Sequence, residues 1–273
     1  MAPQAKQKSK SKSQLPSENV SKSKPQWPPL HPLIPASDLA LTILVPDQIL
    51  LIRNFWTSSL CKSYVSFLSS LPLQTTPGRP KKGDAVRVND RFQIADPDFA
   101  KMLWESTALK ELVLGPKSPS TYGDDDDDAI NMHPAQRRDL WGGDVVGLNP
   151  NIRIYRYSQG QYFDKHYDDS NALVLPAVPP TPAVTTWTLL VYLTSPTTGC
   201  VGGETAFYPD PPPTKTKATH KAVSQSQPAP VVVALETGMA LLHKHGADCM
   251  LHEGREVLAG EKWVLRSDLC VRR

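Results

Sequence analysis

The chain has 273 residues, of which 40% are hydrophobic and 7% aromatic, enough for one large domain or two small ones with a buried core. A formal net charge of +3 gives no whole-molecule field and does not favour a nucleic-acid partner. No apolar run is long enough for a membrane span, and the first residues lack the apolar core of a secretory signal. The four cysteines form no CxxC pair, which favours reduced thiols and an intracellular, cytoplasmic or nuclear, location.

The first segment differs in composition from the rest of the chain. Residues 1–37 interleave lysine with serine, glutamine and proline and are predicted to form a disordered tail. The tail is interpreted either as a solubilising segment or as a nuclear-targeting or polyanion-binding arm. A single domain is expected over residues 38–273.

Residues 38–149 are predicted to give helical support to this domain. An apolar stretch ending near residue 55 suggests a strand, and helical spacing of apolar residues predicts helices over 57–71 and 97–113. Between these helices, residues 72–88 are expected to form a loop. The five aspartates at 124–128 lack the spacing and glycine turns of a calcium site and are interpreted as a solvated loop.

Residues 150–273 are predicted to be almost entirely β-structure. Short strands separated by glycine and proline, without a long helical pattern between them, favour a sandwich or barrel. The polar, proline-rich residues 209–230 are expected to form a mobile insertion. The predicted strands cover residues 151–157, 161–168, 186–194, 204–208, 231–235, 239–245 and 261–271.

The candidate chemistry begins with His166 and Asp168. Residues two apart in an extended segment point to the same side, so these side chains enter one space. His252 supplies a second imidazole, and two imidazoles with one carboxylate form a facial site for Fe(II) that leaves coordination positions open. His243 and His245 form a rival pair, but no carboxylate pattern accompanies them.

Four spaced motifs then resemble the iron(II)- and 2-oxoglutarate-dependent dioxygenases, in particular their prolyl 4-hydroxylase-like branch. The resemblance covers roughly residues 150–270. Its motifs are Tyr157-x₂-Gly160-x₅-His166-x-Asp168, Leu190-Val191-Tyr192-Leu193, Gly202-Gly203-Glu204-Thr205-x-Phe207, and His252-x-Gly254-x₂-Val257-x₂-Gly260-x-Lys262-Trp263.

The resemblance implies an α+β, mainly β, fold, in which N-terminal helices buttress a double-stranded β-helix (jelly-roll or cupin-like) core. It implies that Fe(II) is held by His166, Asp168 and His252, with O2 and 2-oxoglutarate as cosubstrates and ascorbate as a plausible reductant. Lys262 matches the family's basic residue for the far carboxylate of 2-oxoglutarate, and Arg266, on the same strand face, is a second candidate. Tyr192 and Tyr157 resemble tyrosines that line this pocket, although either could equally be a core aromatic residue.

The expected activity is therefore hydroxylation of a C–H bond, with a prolyl residue of a peptide or protein as the leading substrate. A small molecule or free amino acid is the alternative substrate. Three rival functions are a catalytically silent β-helix that binds a partner, a hydrolase or cupin-type isomerase that uses zinc or manganese, and a nucleic-acid demethylase. Only the lysine-rich tail favours the demethylase, because residues 38–273 lack a stripe of basic and aromatic residues. The motifs do not determine an oligomeric state.

Overall fold

The computed structural model describes residues 24–76, 85–115, 132–209 and 228–273. Within these ranges the α-helices are α1 (Ser58–Leu68), α2 (Pro97–Ser106), α3 (Leu109–Leu114) and α4 (Pro134–Trp141). The strands are β1 (Leu41–Val45), β2 (Ile49–Ile52), β3 (Gln74–Thr75), β4 (Arg87–Val88), β5 (Asp90–Ala95), β6 (Val145–Leu148), β7 (Asn151–Ser158), β8 (Tyr162–His166), β9 (Ala172–Leu175), β10 (Thr181–Tyr192), β11 (Val201–Gly202), β12 (Thr205–Tyr208), β13 (Val231–Val233), β14 (Ala240–Lys244), β15 (Leu251–Gly254), β16 (Val257–Ala259) and β17 (Glu261–Arg272).

The described strands form a large and a small antiparallel sheet, and β11 and β16 form a separate antiparallel pair. The large sheet has the order β1-β2-β14-β10-β17-β7-β5-β3, and the small sheet has the order β13-β12-β15-β8-β4. From β7 to β17 the chain crosses repeatedly between the two sheets: β7, β10, β14 and β17 belong to the large sheet, and β8, β12, β13 and β15 belong to the small one. This connectivity is the predicted double-stranded β-helix of the jelly-roll type.

The large sheet is covered on both faces. Its outer face packs against the helices, because Leu189 and Leu265 belong to the same buried cluster as Tyr64 of α1 and Leu103 of α2. Its inner face meets the small sheet, and there Tyr192 of β10 bonds to Thr205 of β12 at 2.7 Å between the hydroxyl oxygens. Burial on both faces explains the nearly continuous apolar runs of strands such as β2 and β14.

The helices follow from local signals, with one difference from the sequence-based expectation. Thr57 caps α1 by accepting a hydrogen bond from the Leu60 amide at 3.2 Å, and Asp96 caps α2 in the same way. The single helix predicted over 97–113 is instead two helices, because the chain is extended at Thr107. The Thr107 hydroxyl donates to the Leu103 carbonyl and accepts from the Leu109 amide, which ends one helix and starts the next.

The N-terminal tail was predicted to extend to residue 37, which is too far along the chain. Trp27 stacks on Phe99 with 4.0 Å between ring centroids, and its indole N–H donates to Asp96 at 2.9 Å. Leu30 is buried in the helical core, and the Tyr64 hydroxyl donates to the Pro28 carbonyl. Large aromatic burial outweighs the ordering entropy of this short segment, so residues 24–37 belong to the domain. Residues 1–23 lie outside the described part of the chain.

Residues 38–149 supply more than helices. Strands β1, β2, β3 and β5 extend the large sheet and β4 extends the small sheet, so the predicted loop over 72–88 contains strand pairings at both of its ends. Residues 77–84, the aspartates 124–128 and most of the 209–230 insertion lie outside the described residues. Among the helices that are described, none has the length and apolar character needed to cross a membrane.

Candidate active site

The end of β8 and the neighbouring strand β15 bring His166, Asp168 and His252 together inside the β-helix, with Asp168 two residues beyond the last residue of β8. His166 is the last residue of β8, and its register partner across the small sheet is His252 of β15, a strand that the sequence pattern did not indicate. The Asp168 carboxylate lies 3.8 Å from the Nε2 atom of each histidine, one oxygen facing each ring. One ligand atom from each of the three residues lies within 4.8 Å of the other two. These distances suit a single metal ion between them.

Hydrogen bonds orient the two imidazole rings. The Nδ1 atom of His166 lies 2.8 Å from the Asp164 carbonyl oxygen, and the Nδ1 atom of His252 lies 2.9 Å from the Met250 carbonyl oxygen. A carbonyl oxygen only accepts, so each Nδ1 carries the proton and donates. Each Nε2 atom therefore presents its lone pair to the space beside Asp168, as metal ligation requires.

The protonation states of the three residues also suit a cation. Burial lowers the pKa of His166 to about 3 and also lowers the pKa of His252, so both rings are neutral near pH 7. Burial by itself raises the pKa of the Asp168 carboxyl, but the adjacent positive charge of Arg266 opposes burial, and this pKa lies well below its ordinary value. Two neutral imidazoles and one carboxylate form a donor set that is ready for a divalent metal.

The guanidinium of Arg266 forms ion pairs with two carboxylates. Its guanidinium lies 2.9 Å and 3.2 Å from the two oxygens of Asp168 and 3.5 Å from Asp268, which also bonds to Arg153. The Thr188 hydroxyl donates to Asp168 at 3.0 Å. These contacts fix the carboxylate for ligation. Neither Thr188 nor Asp268 was anticipated, although the alternation of Arg266 with Asp268 along β17 placed the two on one face.

Lys262 is a buried cation beside the triad. It is 5% exposed, donates to the Gly203 carbonyl at 2.6 Å, and forms no ion pair with a carboxylate of any described residue. Burial lowers its pKa to about 8. Gly203 can approach so closely because it has φ +74° and no Cβ, which would lie 3.2 Å from Cδ of the lysine. An ammonium has three donors, so Lys262 retains hydrogen-bonding capacity for a ligand.

Lys262 lines a small inner cavity together with His166, Asp168, His252 and Tyr157. The cavity has a volume of about 50 Å³. The cavity joins the predicted metal ligands to the predicted carboxylate clamp.

The two candidate tyrosines flank Lys262. Tyr157 is its register partner on β7, and the ammonium lies 5.4 Å from the Tyr157 ring centroid and 5.5 Å from that of Tyr192. Tyr157 lines the inner cavity. Tyr192 is fully buried with its hydroxyl bonded to Thr205. Burial raises the pKa of both hydroxyls, so both are neutral donors or acceptors.

His243 and His245, the rival pair, both lie on the inner face of the large sheet. The Nε2 atom of His243 is 3.7 Å from Asp168, as close as the two triad histidines, and its ring is 4.6 Å from that of His252. His245 bonds instead to Thr188 and Thr185. One ligand atom each of His243, Cys249 and His252 also lies within 4.8 Å of the other two. The sequence feature that could have indicated His243 is its position in the otherwise apolar strand β14, on the face that points towards the small sheet.

Neither a protein-family model nor a curated protein sequence matches this chain. Among solved structures, a prolyl hydroxylase from Trichoplax adhaerens in complex with a hypoxia inducible factor peptide fragment is similar, with 14% identity, 82% of this chain and 84% of that chain covered, and a TM-score of 0.49. The viral collagen prolyl hydroxylase of Paramecium Bursaria Chlorella virus-1 is similar at 15% identity over 82% and 96% of the two chains, with a TM-score of 0.42. HygX from Streptomyces hygroscopicus, bound to nickel, 2-oxoglutarate and hygromycin B, is similar at 15% identity over 82% and 83%, also with a TM-score of 0.42.

Proposed function

We propose that this protein is an Fe(II)- and 2-oxoglutarate-dependent dioxygenase that hydroxylates a C–H bond. The observation that carries the proposal is a triad whose lone pairs converge beside a buried cation, Lys262, that has no carboxylate within ion-pair distance among the described residues. A buried ammonium that is not in contact with a carboxylate is costly, and a dicarboxylate bound in the inner cavity would reduce that cost. The catalytically silent alternative gives no reason for keeping such a group.

The donor set fits Fe(II), since two imidazoles and one carboxylate leave positions open for a chelating ligand and for oxygen. When bound, iron would supply oxygen activation coupled to the oxidative decarboxylation of 2-oxoglutarate. His166 and His252 would ligate through Nε2, while the backbone carbonyls of residues 164 and 250 hold their tautomers. Thr188 and Arg266 would hold the Asp168 carboxylate in place.

Lys262 would bind the far carboxylate of 2-oxoglutarate and thereby fix which end of the cosubstrate faces the metal ligands. Arg266 is less suited to that role because Asp168 and Asp268 already compensate its charge. The buried Tyr157 and Tyr192 would keep water away from the ammonium and provide further hydrogen bonds. Ascorbate, by the same family resemblance, is the reductant to include in assays.

A prolyl residue of a peptide or protein is the leading substrate, as the sequence motifs of the prolyl 4-hydroxylase-like branch suggest. A small molecule is the alternative. Among the similar structures, one is in complex with a peptide fragment and another has hygromycin B bound. The fold and the triad set the type of reaction but do not choose between these substrates.

The test is an anaerobic titration of 2-oxoglutarate into the protein loaded with Fe(II), followed by admission of oxygen. We expect a visible metal-to-ligand charge-transfer band and then slow formation of succinate without added substrate. His252→Ala is the matched control and should show neither. An absent band despite stoichiometric bound iron would contradict the proposal.

The position of His243 supports a second candidate function, a zinc or manganese enzyme of the hydrolase or isomerase type with a fourth protein ligand. His243 lies as close to Asp168 as the triad histidines do and is buried. Metal affinities of the parent protein and of His243→Phe distinguish this enzyme from the proposed dioxygenase. A large loss of Zn(II) affinity in the variant supports the four-ligand site, whereas unchanged Fe(II) affinity supports the triad.

A further inference from the structure

A wide outer groove leads to the candidate metal ligands. Its volume is about 1030 Å³, and His166 and Asp168 lie in its wall. The large sheet forms one side through β5 and β7, and the small sheet forms the other through β4 and β8. A molecule positioned for reaction beside the triad would occupy this groove, while the inner cavity lies on the Lys262 side.

The walls of the outer groove carry an excess of positive charge. Five basic side chains and two acidic side chains, Asp168 and Asp169, line it. Strand register explains part of this excess, because Arg153 pairs with Arg266 on β17 and with Gln93 on β5, and Arg91 lies two residues from Gln93. Register partners share a face of a sheet, so three arginines from adjacent strands face the groove.

Two of the five cations are already compensated, since Arg153 and Arg266 contact Asp268. The other three, Arg87, Arg91 and Lys165, form no ion pair with any described carboxylate. Arg87 instead lies 4.9 Å from the Phe163 ring centroid, and Lys165 lies 3.9 Å from that of Tyr208. These three positive charges therefore remain available to a ligand in the groove.

We infer that the substrate is an acidic polypeptide segment, whose carboxylates contact Arg87, Arg91 and Lys165 while the reacting residue lies beside His166 and Asp168. This inference rests on the proposed function. The volume of the groove is at the upper end of the range of about 300–1,000 Å³ for small-molecule pockets, which favours a peptide chain. Complementary charge would guide such a segment into the groove and set its register.

The aromatic side chains of the groove argue against single-stranded nucleic acid. Successive bases require exposed ring faces for stacking. His166 stacks on Phe163 at 3.5 Å between centroids while Arg87 approaches the same ring, and Tyr155 is buried. Among the described lining residues, Tyr167 alone is an exposed aromatic side chain.

Binding can be measured without turnover. The probe is a fluorescein-labelled peptide in which glutamates flank a central proline, and its matched control has glutamine in place of every glutamate. Anisotropy titrations use the full chain loaded with Zn(II), at low and at high salt. The variants are Arg87→Gln, Arg91→Gln and Lys165→Gln, and the controls are Lys62→Gln and Arg272→Gln, two exposed cations without an ion pair among the described residues.

We expect the glutamate peptide to bind at least about tenfold more tightly than the glutamine peptide, and added salt to reduce this preference. Each groove variant should weaken the glutamate peptide by about two- to fivefold, and the control variants should not. Because Lys165 is exposed, Lys165→Gln tests the contact with the acidic peptide even if Arg87→Gln disturbs folding.

Three results would overturn the inference: equal affinity for both peptides, equal losses in groove and control variants, or displacement of the peptide by a single-stranded oligonucleotide at much lower concentration. These results are separate from failure of the proposed function. An absent charge-transfer band with a clear glutamate preference would leave an acidic-peptide-binding protein without dioxygenase activity.

Discussion

The two faces of strand β17 differ in composition and in what they stabilise. Trp263 and Leu265 point outward into the core beneath the helices, whereas Lys262, Val264 and Arg266 point inward to the cavity and the triad. The outer side chains are apolar and contribute stability through burial. Two of the three inner side chains are cations that burial destabilises unless a carboxylate meets them. Adjacent residues of one strand therefore line the apolar core and the candidate site separately.

The largest expected effect is at the inner face. His252→Ala should reduce Fe(II) affinity by at least about a hundredfold, since loss of a ligand costs no less than loss of its orienting partner. The free energy of unfolding of the metal-free variant should stay close to that of the metal-free parent protein. Anaerobic iron-binding titrations measure the affinity, and His133→Ala, an exposed histidine, is the control. Retained stoichiometric binding would assign the metal to a different set of ligands.

The outer face should show the opposite behaviour. Leu265 is fully buried among apolar side chains, so Leu265→Ala should lower the free energy of unfolding by about 2–5 kcal/mol. Urea unfolding measures this loss. Metal and 2-oxoglutarate affinities of the folded variant should remain close to those of the parent protein. A large fall in either affinity would show that the two faces are coupled.

Lys262→Met tests the cation on the inner face with a side chain of similar length. Loss of one charge-assisted contact, about 1.5–3 kcal/mol, should weaken 2-oxoglutarate binding by about ten- to 150-fold. Unfolding without the cosubstrate should cost the same free energy or more, because an uncompensated buried charge has been removed. Isothermal titration and urea unfolding provide the two readouts. If Arg266→Met gives this loss and Lys262→Met does not, Arg266 is the clamp.

The pH dependence of cosubstrate binding should follow the same lysine. Because burial lowers the pKa of Lys262 to about 8, the ammonium is protonated below this pH and 2-oxoglutarate binds fully there. Above pH 8 the affinity should fall by up to about tenfold per pH unit, since binding must first restore the proton. The same titration in Lys262→Met should lack this step. A parent protein with a flat profile from pH 7 to pH 10 would contradict the lowered pKa.

The sequence predicted much of the fold, and its errors have local causes. The core strands followed from apolar runs bounded by glycine and proline. The break at Thr107 was missed because a side-chain hydrogen bond competes with helix propagation there. The contribution of residues 24–37 was missed because Trp27 is isolated in a polar segment, and its partner Phe99 is far along the chain.

The sequence by itself determined that Lys262 and Arg266 share a face, because both lie in β17 and a strand has a two-residue period. Asp168 was expected to follow His166 in the same strand, but β8 ends at His166 and Asp168 lies two residues beyond it. Only the tertiary structure decided what each face meets. Pairing of β15 with β8 brought His252 opposite His166, and packing of the two sheets brought His243 to Asp168. The same packing gave Arg266 its carboxylate partners, whereas no carboxylate of the described residues lies within ion-pair distance of Lys262. Contacts between strands far apart in sequence depend on register and sheet packing, which a local pattern does not contain.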